Sequence, residues 1–291
     1  RPLRRRRTQG LRPLLHRRQA GRRPSYLAGD IRLDHGTGTK MEGKAGMTHG
    51  SLFSGIGGFE QAAQWVGIHT LWSCEIASYP RRILKKVFPK TTKHEDIKQL
   101  SNPGYVDVIS GGFPCQDISL AGGGVGIYGS RSGLWCEMYR IIREVRPRYV
   151  IIENSTALLF RGFERVLCDL SEIGYDAEWQ CLSNADFGFD HRRERLYVIA
   201  YSNKVKRQAG RFQEWNQAQG IFVPPSNQHC GFSIAQRVLE MPDREHIGIN
   251  DGIRGWTHRV GCLGNAVNPV VAKYLFECII LYENKISKRI K

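Results

Sequence analysis

Apolar positions along the chain change period in a regular way. Residues 50–54 form a short strand-like run that enters a glycine-rich turn. Phe59, Ala62, Ala63 and Val66 then fall at i, i+3, i+4 and i+7, the spacing of one helix face. Residues 70–74 read as a second strand ending at Glu75, and Ile83, Leu84, Val87 and Phe88 mark a helix closed by Pro89. A strand over 106–110 leads into a glycine-rich loop that reaches Gly133, and residues 134–145 are helical in pattern. Tyr149, Val150, Ile151 and Ile152 make an unbroken apolar run, as in a parallel strand buried on both faces. Residues 163–173 read as helix, 178–183 as extended chain, 196–200 as strand, and an amphipathic helix follows Pro269. This alternation predicts an α/β protein with an open, doubly wound, mostly parallel sheet. It stops after Tyr201: residues 202–255 are rich in Asn, Gln, Gly and Pro and read as a small irregular region.

Composition narrows the class. The 291 residues are 41% hydrophobic and 24% charged, which suits a packed core and excludes a mainly disordered chain. The longest apolar stretch, 267–282, is broken by Asn268, Pro269, Lys273 and Glu277, so no membrane span is expected. The basic N-terminus lacks the apolar segment of a secretory signal. Of the net charge of +16, ten charges sit in residues 1–46, where thirteen basic residues face Asp30, Asp34 and Glu42. That stretch reads as a disordered or non-native leader, with the working protein expected to begin at Met41 or Met47. The rest is mildly basic, as a polyanionic partner would favour. The eight cysteines show neither C-x-x-C pairs nor zinc-finger spacing. We therefore expect no metal, and free thiols in a reducing cytoplasm.

The candidate chemistry gathers at strand ends. Gly55, Gly57 and Gly58 lie between the first strand and its helix, where doubly wound sheets bind ligands. The spacing is not G-x-G-x-x-G, since position 60 is Glu. Glu75 ends the second strand, 20 residues after Gly55, where an acid can bond both ribose hydroxyls. Asp96 follows the expected third strand and suits an adenine amino group, so together the two acids favour an adenosine-containing cofactor. Cys115, on a turn after Gly111, Gly112, Phe113 and Pro114, is a candidate nucleophile. Residues 119–133 carry six glycines and read as a closing lid. Glu153 and Asn154 end the apolar strand, where burial would raise a carboxyl pKa and suit it to proton donation. His191, Arg193 and Arg195 alternate onto one face of an extended run and could hold an oxygen-rich planar group or phosphates.

In this order the pieces resemble the cytosine-C5 DNA methyltransferase family over residues 48–200 and 260–282. Phe53, Ser54, Gly55, Ile56 and Gly57, followed by Gly58, look like its S-adenosylmethionine loop. Glu75 with Ile76 and Asp96 with Ile97 match its ribose and adenine contacts. Gly112, Phe113, Pro114, Cys115 and Gln116 match its nucleophile motif, and Glu153 with Asn154 its Glu-Asn pair. Gly264, Asn265, Ala266 and Val267, with Pro269, resemble its C-terminal motif. Two departures stand out: His191 replaces the usual Gln before the arginines, and Ser155 replaces Val. The resemblance implies the methyltransferase fold, with a catalytic domain over 47–201, a short target-recognition region over 202–255 and a C-terminal segment, 256–291, that packs back. It implies Cys115, Glu153, Arg193 and Arg195 as catalytic residues, Pro114, Asn265 and Val267 as further cofactor contacts, and Gln116, Ser119 and Arg131 as DNA contacts. The implied partner is double-stranded DNA, bound by a monomer, with any restriction endonuclease acting separately. Two alternatives stay open: an RNA (tRNA) cytosine-C5 methyltransferase, and an inactive DNA-binding homologue. A nicotinamide oxidoreductase fits poorly, because it leaves the Cys115 motif unexplained. The Lys204, Lys206, Arg207, Arg211 and Arg244 cations are candidate DNA contacts in the recognition region.

Overall fold

The structure is a computed structural model that describes residues 46–114, 133–189, 192–209 and 265–290. Seven strands form one sheet in the order β3-β2-β1-β4-β5-β7-β6. The strands are β1 Thr48–Leu52, β2 His69–Cys74, β3 Thr92–His94, β4 Val108–Gly111, β5 Tyr149–Asn154, β6 Tyr175–Ser183 and β7 Glu194–Ser202. Strands β1 to β5 run parallel, while β7 pairs antiparallel with both β5 and β6. The expected doubly wound, mostly parallel sheet is therefore present. Strand β6 starts three residues earlier than the sequence pattern indicates. It is an edge strand with mixed exposure, so it lacks a clean apolar signal.

The described helices are α1 Gly58–Trp65, α2 Ser78–Val87, α3 Leu134–Val145, α4 Phe163–Glu172, α5 Asn203–Ala209 and α6 Pro269–Ile290. They cover the sheet on both faces. One core lies between the sheet and α1 and α6, and includes Phe59, Ala62, Ala63, Ile151, Leu275 and Ile279. The other packs Trp135, Met138, Ile142, Val166 and Leu170 of α3 and α4 against Leu52, Ile109 and Ile152. No described helix is long and apolar enough to cross a membrane.

Parallel strands all end at one edge of a sheet. The segments after β1, β2 and β4 and the last residues of β5 therefore converge there, and β7, running the other way, begins there. Helix α5 lies at the other end of β7, because Tyr201 pairs with Tyr149 at the start of β5. It carries Lys204 and Lys206, the latter ion-paired with Asp176. These two expected DNA contacts thus sit at the edge away from the strand ends. The leader up to residue 45, residues 119–132 of the lid expected over 119–133, and Arg211 and Arg244 lie outside the described residues.

Candidate active site

The first half of the site is a loop and two acids. The chain leaves β1 through Phe53 and turns at Gly57, whose φ of 93° is left-handed and caps α1. Ser54 is the hub of this turn. Its N–H bonds Cys74 O at 3.1 Å, its carbonyl accepts from Gly57 N at 3.0 Å, and its hydroxyl donates to Ser51 Oγ at 3.0 Å. Glu75 reaches back from the end of β2. Its Oε2 accepts from Gly55 N at 2.8 Å and its Oε1 from Ala77 N at 2.8 Å. Each oxygen keeps a second lone pair for a ligand hydroxyl. Next to it Ile76 is 70% exposed, an unusual position for a large aliphatic chain. Asp96 accepts from Lys98 N through Oδ1 at 2.9 Å.

Two expected contact residues point elsewhere. The Ile97 side chain is buried in the α3/α4 core, and its carbonyl accepts from Arg140 at 2.7 Å. Ile56 is buried against Ile83 of α2 under the loop. The loop is closed from above by the C-terminal segment: a Cβ on Gly58 would lie 2.4 Å from Val267 O, so only glycine allows this approach. Asn265 is exposed and Val267 half-buried beside it.

The second half surrounds Glu153. It lies at the end of a fully buried strand and is 8% exposed. Arg195 Nε approaches its Oε1 at 3.2 Å. Burial pushes the Glu153 pKa up, and the Arg193 and Arg195 guanidiniums oppose that shift only in part. Gly112 crosses directly over the carboxyl, since a Cβ there would meet Glu153 Oε2 at 2.7 Å. Asn154 Nδ2 donates to Phe113 O at 3.1 Å and so holds the approach to Pro114. The chemistry at the strand end and the nucleophile motif are thereby joined through named contacts. Cys115, Gln116, Ser119, Arg131 and His191 lie outside the described residues.

The two arginines have different partners. Arg195 meets Glu153, whereas Arg193 donates through Nη1 to the carbonyl of Ala266. Arg193 thus ties the Glu153 region to the segment that covers the cofactor loop. Sequence reasoning missed a brace on the loop's acidic side. Arg81 Nη1 donates to Ile76 O at 2.7 Å, and its Nη2 pairs with Glu95 at 3.2 Å. An arginine six residues after Glu75, in the first turn of a helix, was the available signal. It also missed Glu60, which is 1% exposed on α1.

A mostly parallel sheet with a Gly-rich first turn, an acid after the second strand and a buried carboxyl at the end of a later one makes a methyltransferase-type α/β fold with its site at the strand ends. The cradle fits an adenosine ligand on this evidence: free acceptor capacity on Glu75, an exposed apolar neighbour in Ile76, and a turn open at Gly55, where an added Cβ would meet nothing within 4 Å. Comparison with known proteins agrees. Residues 47–246 match the C-5 cytosine-specific DNA methylase family, and the chain belongs to that family. It is 35% identical over 158 residues to the type II methyltransferase M2.BsuMI of Bacillus subtilis, covering 52% of this chain and 41% of that protein. It is 30% identical over 168 residues to M.HhaI of Haemophilus parahaemolyticus, covering 55% and 51%. The chain thus spans about half the length of the curated relatives it matches. Among solved structures, the Entamoeba histolytica methyltransferase EhMeth shares the fold at 15% identity and a TM-score of 0.56, covering 80% of this chain and 97% of that one. The Spodoptera frugiperda DNMT2 mutant does so at 15% identity and a TM-score of 0.54, covering 80% and 99%.

Proposed function

We propose that the chain transfers a methyl group from S-adenosylmethionine to C5 of cytosine in double-stranded DNA. The observation that carries this reading is Glu153: a buried carboxyl with a raised pKa, held by Arg195 and lying directly under Gly112 of the nucleophile motif. When bound, S-adenosylmethionine supplies an electrophilic methyl group. The loop of residues 53–57, Glu75, the Asp96 carboxylate and the backbone of Ile97 bind and orient it, with Pro114, Asn265 and Val267 completing the pocket.

The chain's residues act on the base. C5 of cytosine is a weak nucleophile. The Cys115 thiolate adds at C6, which moves electron density to C5. Glu153, whose affinity for a proton burial raises, gives a proton or a hydrogen bond to N3 and stabilises the enamine. Arg195 steadies the Glu153 carboxyl and the O2 side of the ring, and Arg193 fixes the C-terminal segment over the site. After methyl transfer the C5 proton leaves, Cys115 is eliminated and the ring is restored. C6 is hidden inside a stacked duplex, so the base must flip into the site, with Gln116, Ser119 and Arg131 as the proposed DNA contacts. The reading carries with it a cytoplasmic monomer, and any restriction endonuclease acts as a separate chain.

The test is methylation of unmethylated genomic DNA by the full chain, followed by bisulfite sequencing. We expect protected cytosines in one short context. Glu153→Gln should lower turnover by at least a hundredfold, and Cys115→Ser should abolish it. Methyl transfer to tRNA but not to DNA would overturn the DNA assignment, and unchanged transfer by Cys115→Ser would overturn the chemistry.

A further inference from the structure

Under the cofactor loop, one row of polar residues crosses four strands. Lys93 of β3 is in register with Ser73 of β2, Ser73 with Ser51 of β1, and Ser51 with Ser110 of β4. Rows like this are usually apolar where a sheet is covered on both faces. Here Ser51, Ser73 and Ser110 are all at most 1% exposed. Ser110 Oγ is taken by His49 Nε2 at 2.8 Å, and His49 Nδ1 meets Thr70 Oγ1 at 2.9 Å.

Glu60 joins this layer from the first turn of α1, the helix that the loop feeds. It is sealed from solvent, and neither carboxyl oxygen makes a hydrogen bond of ordinary geometry. Ser73 Oγ is in the same condition. The groups that act on the carboxyl are the hydroxyls of Ser54 and Ser51, its own backbone amide and the Lys93 ammonium. Ser54 is also the hub that sets the loop. A buried carboxyl without full partners is expensive to keep and calls for a reason. A core role alone would be served better by an apolar residue, since α1 packs Phe59, Ala62 and Ala63 on the same side.

We propose that Glu60 is a positioning residue for cofactor binding: its carboxyl, set between α1 and the polar row, holds Ser51 and Ser54 so that the 53–57 loop stays in its ligand-ready shape. This rests on the reading of that loop as the S-adenosylmethionine site. Glu60 touches no reacting atom. It acts through Ser54, so its loss changes how well the cofactor binds and leaves the chemistry at Glu153 in place.

The test compares Glu60→Leu, Glu60→Gln and Ser54→Ala in the full chain. S-adenosylmethionine affinity is measured by calorimetry, alongside KM and kcat on DNA. Glu60→Leu should weaken affinity and raise the cofactor KM at least tenfold, with kcat within threefold. Glu60→Gln, which keeps an acceptor at the same reach, should restore affinity to within threefold of the parent. Ser54→Ala should weaken binding in the parent and have little further effect in the Glu60→Leu background. Should Glu60→Leu fail to fold, Glu60→Ala takes its place in the cycle with Ser54→Ala, where additive losses count against the proposal. Unchanged affinity in folded Glu60→Leu, or equal losses in affinity and kcat, would overturn it. If the parent chain itself bound no S-adenosylmethionine, the reading of the loop would fall and this inference with it. If the parent bound it and Glu60→Leu bound it equally well, this inference alone would fall.

Discussion

Glu60 and His49 share one buried layer, and burial moves their proton affinities in opposite directions. Desolvation pushes the Glu60 pKa up from its ordinary 4.5 to about 7, and pushes His49 down from 6.5 to about 3. Both groups are therefore neutral in a mildly acidic folded protein. For Glu60, the folded state keeps the proton up to about pH 7, while the unfolded chain releases it near 4.5. The group favours folding below pH 4.5, and that contribution is lost as pH rises through 7. The difference between pH 5 and pH 8 is on the order of 2–3 kcal/mol. Glu60→Gln cannot ionise and should lack this loss. Urea denaturation of both proteins at pH 5 and pH 8 measures it: the variant should gain on the parent by roughly that amount at the higher pH. His49 is present in both proteins, so its own acid-side effect cancels. An equal difference at the two pH values would show that Glu60 is not held in its neutral form.

At the scale of elements, the decisive contacts are places where one backbone meets another. The first residue of α1, Gly58, lies against Val267 O, and an added Cβ would sit 2.4 Å from that carbonyl. Alanine is the better helix former by about 1 kcal/mol, so propensity alone predicts stabilisation. The clash is with backbone and should win. We expect Gly58→Ala to destabilise by roughly 1–3 kcal/mol and to weaken S-adenosylmethionine binding at least fivefold. Thermal melting with and without the cofactor checks both, and a gain in stability would mean that the C-terminal segment gives way freely. The sequence made α1 legible through Phe59, Ala62, Ala63 and Val66, and α3 through an equally clean apolar face. It marked the strand ends carrying Glu75 and Glu153 because glycines, prolines and acids interrupt apolar runs there. It did not reveal α5, whose seven residues are mostly polar and offer little face to read. Nor did it reveal Glu60, because a carboxyl on a buried helix face looks like a solvated one when only spacing is available. The division of labour between Arg193 and Arg195 depends on a partner, Ala266, 73 positions away. No local pattern encodes that.

Across the whole molecule, α6 joins the two edges of the sheet. Its 22 residues span about 33 Å, starting beside Val267 at the ligand edge. Toward its other end Glu283 is 1% exposed and accepts from Tyr149 Oη at 2.5 Å, with Arg148 Nη2 also at 2.5 Å. Tyr149 begins β5, so this contact lies at the edge opposite the candidate site. Between the two ends Val271, Leu275, Phe276 and Ile279 are fully buried against the sheet. A rod clamped in this way makes the far contact matter to the near one. Glu283→Ala would strand the buried Tyr149 hydroxyl and take the ion-pair partner from Arg148. The Arg148 side chain keeps 27% exposure and can turn to water, so the expected loss is that of the orphaned Tyr149 hydroxyl and the cavity, about 2–3 kcal/mol. Glu283→Gln keeps an acceptor for Tyr149 and should lose less. Saturating S-adenosylmethionine holds the ligand edge and should return about 2–3 kcal/mol at a hundred times its dissociation constant. Denaturation of the three proteins with and without cofactor separates these effects. A loss below about 1 kcal/mol in Glu283→Ala would show that the apolar face of α6 suffices to anchor it. A normal loss without recovery by the cofactor would show that the variant no longer forms the site at the opposite edge.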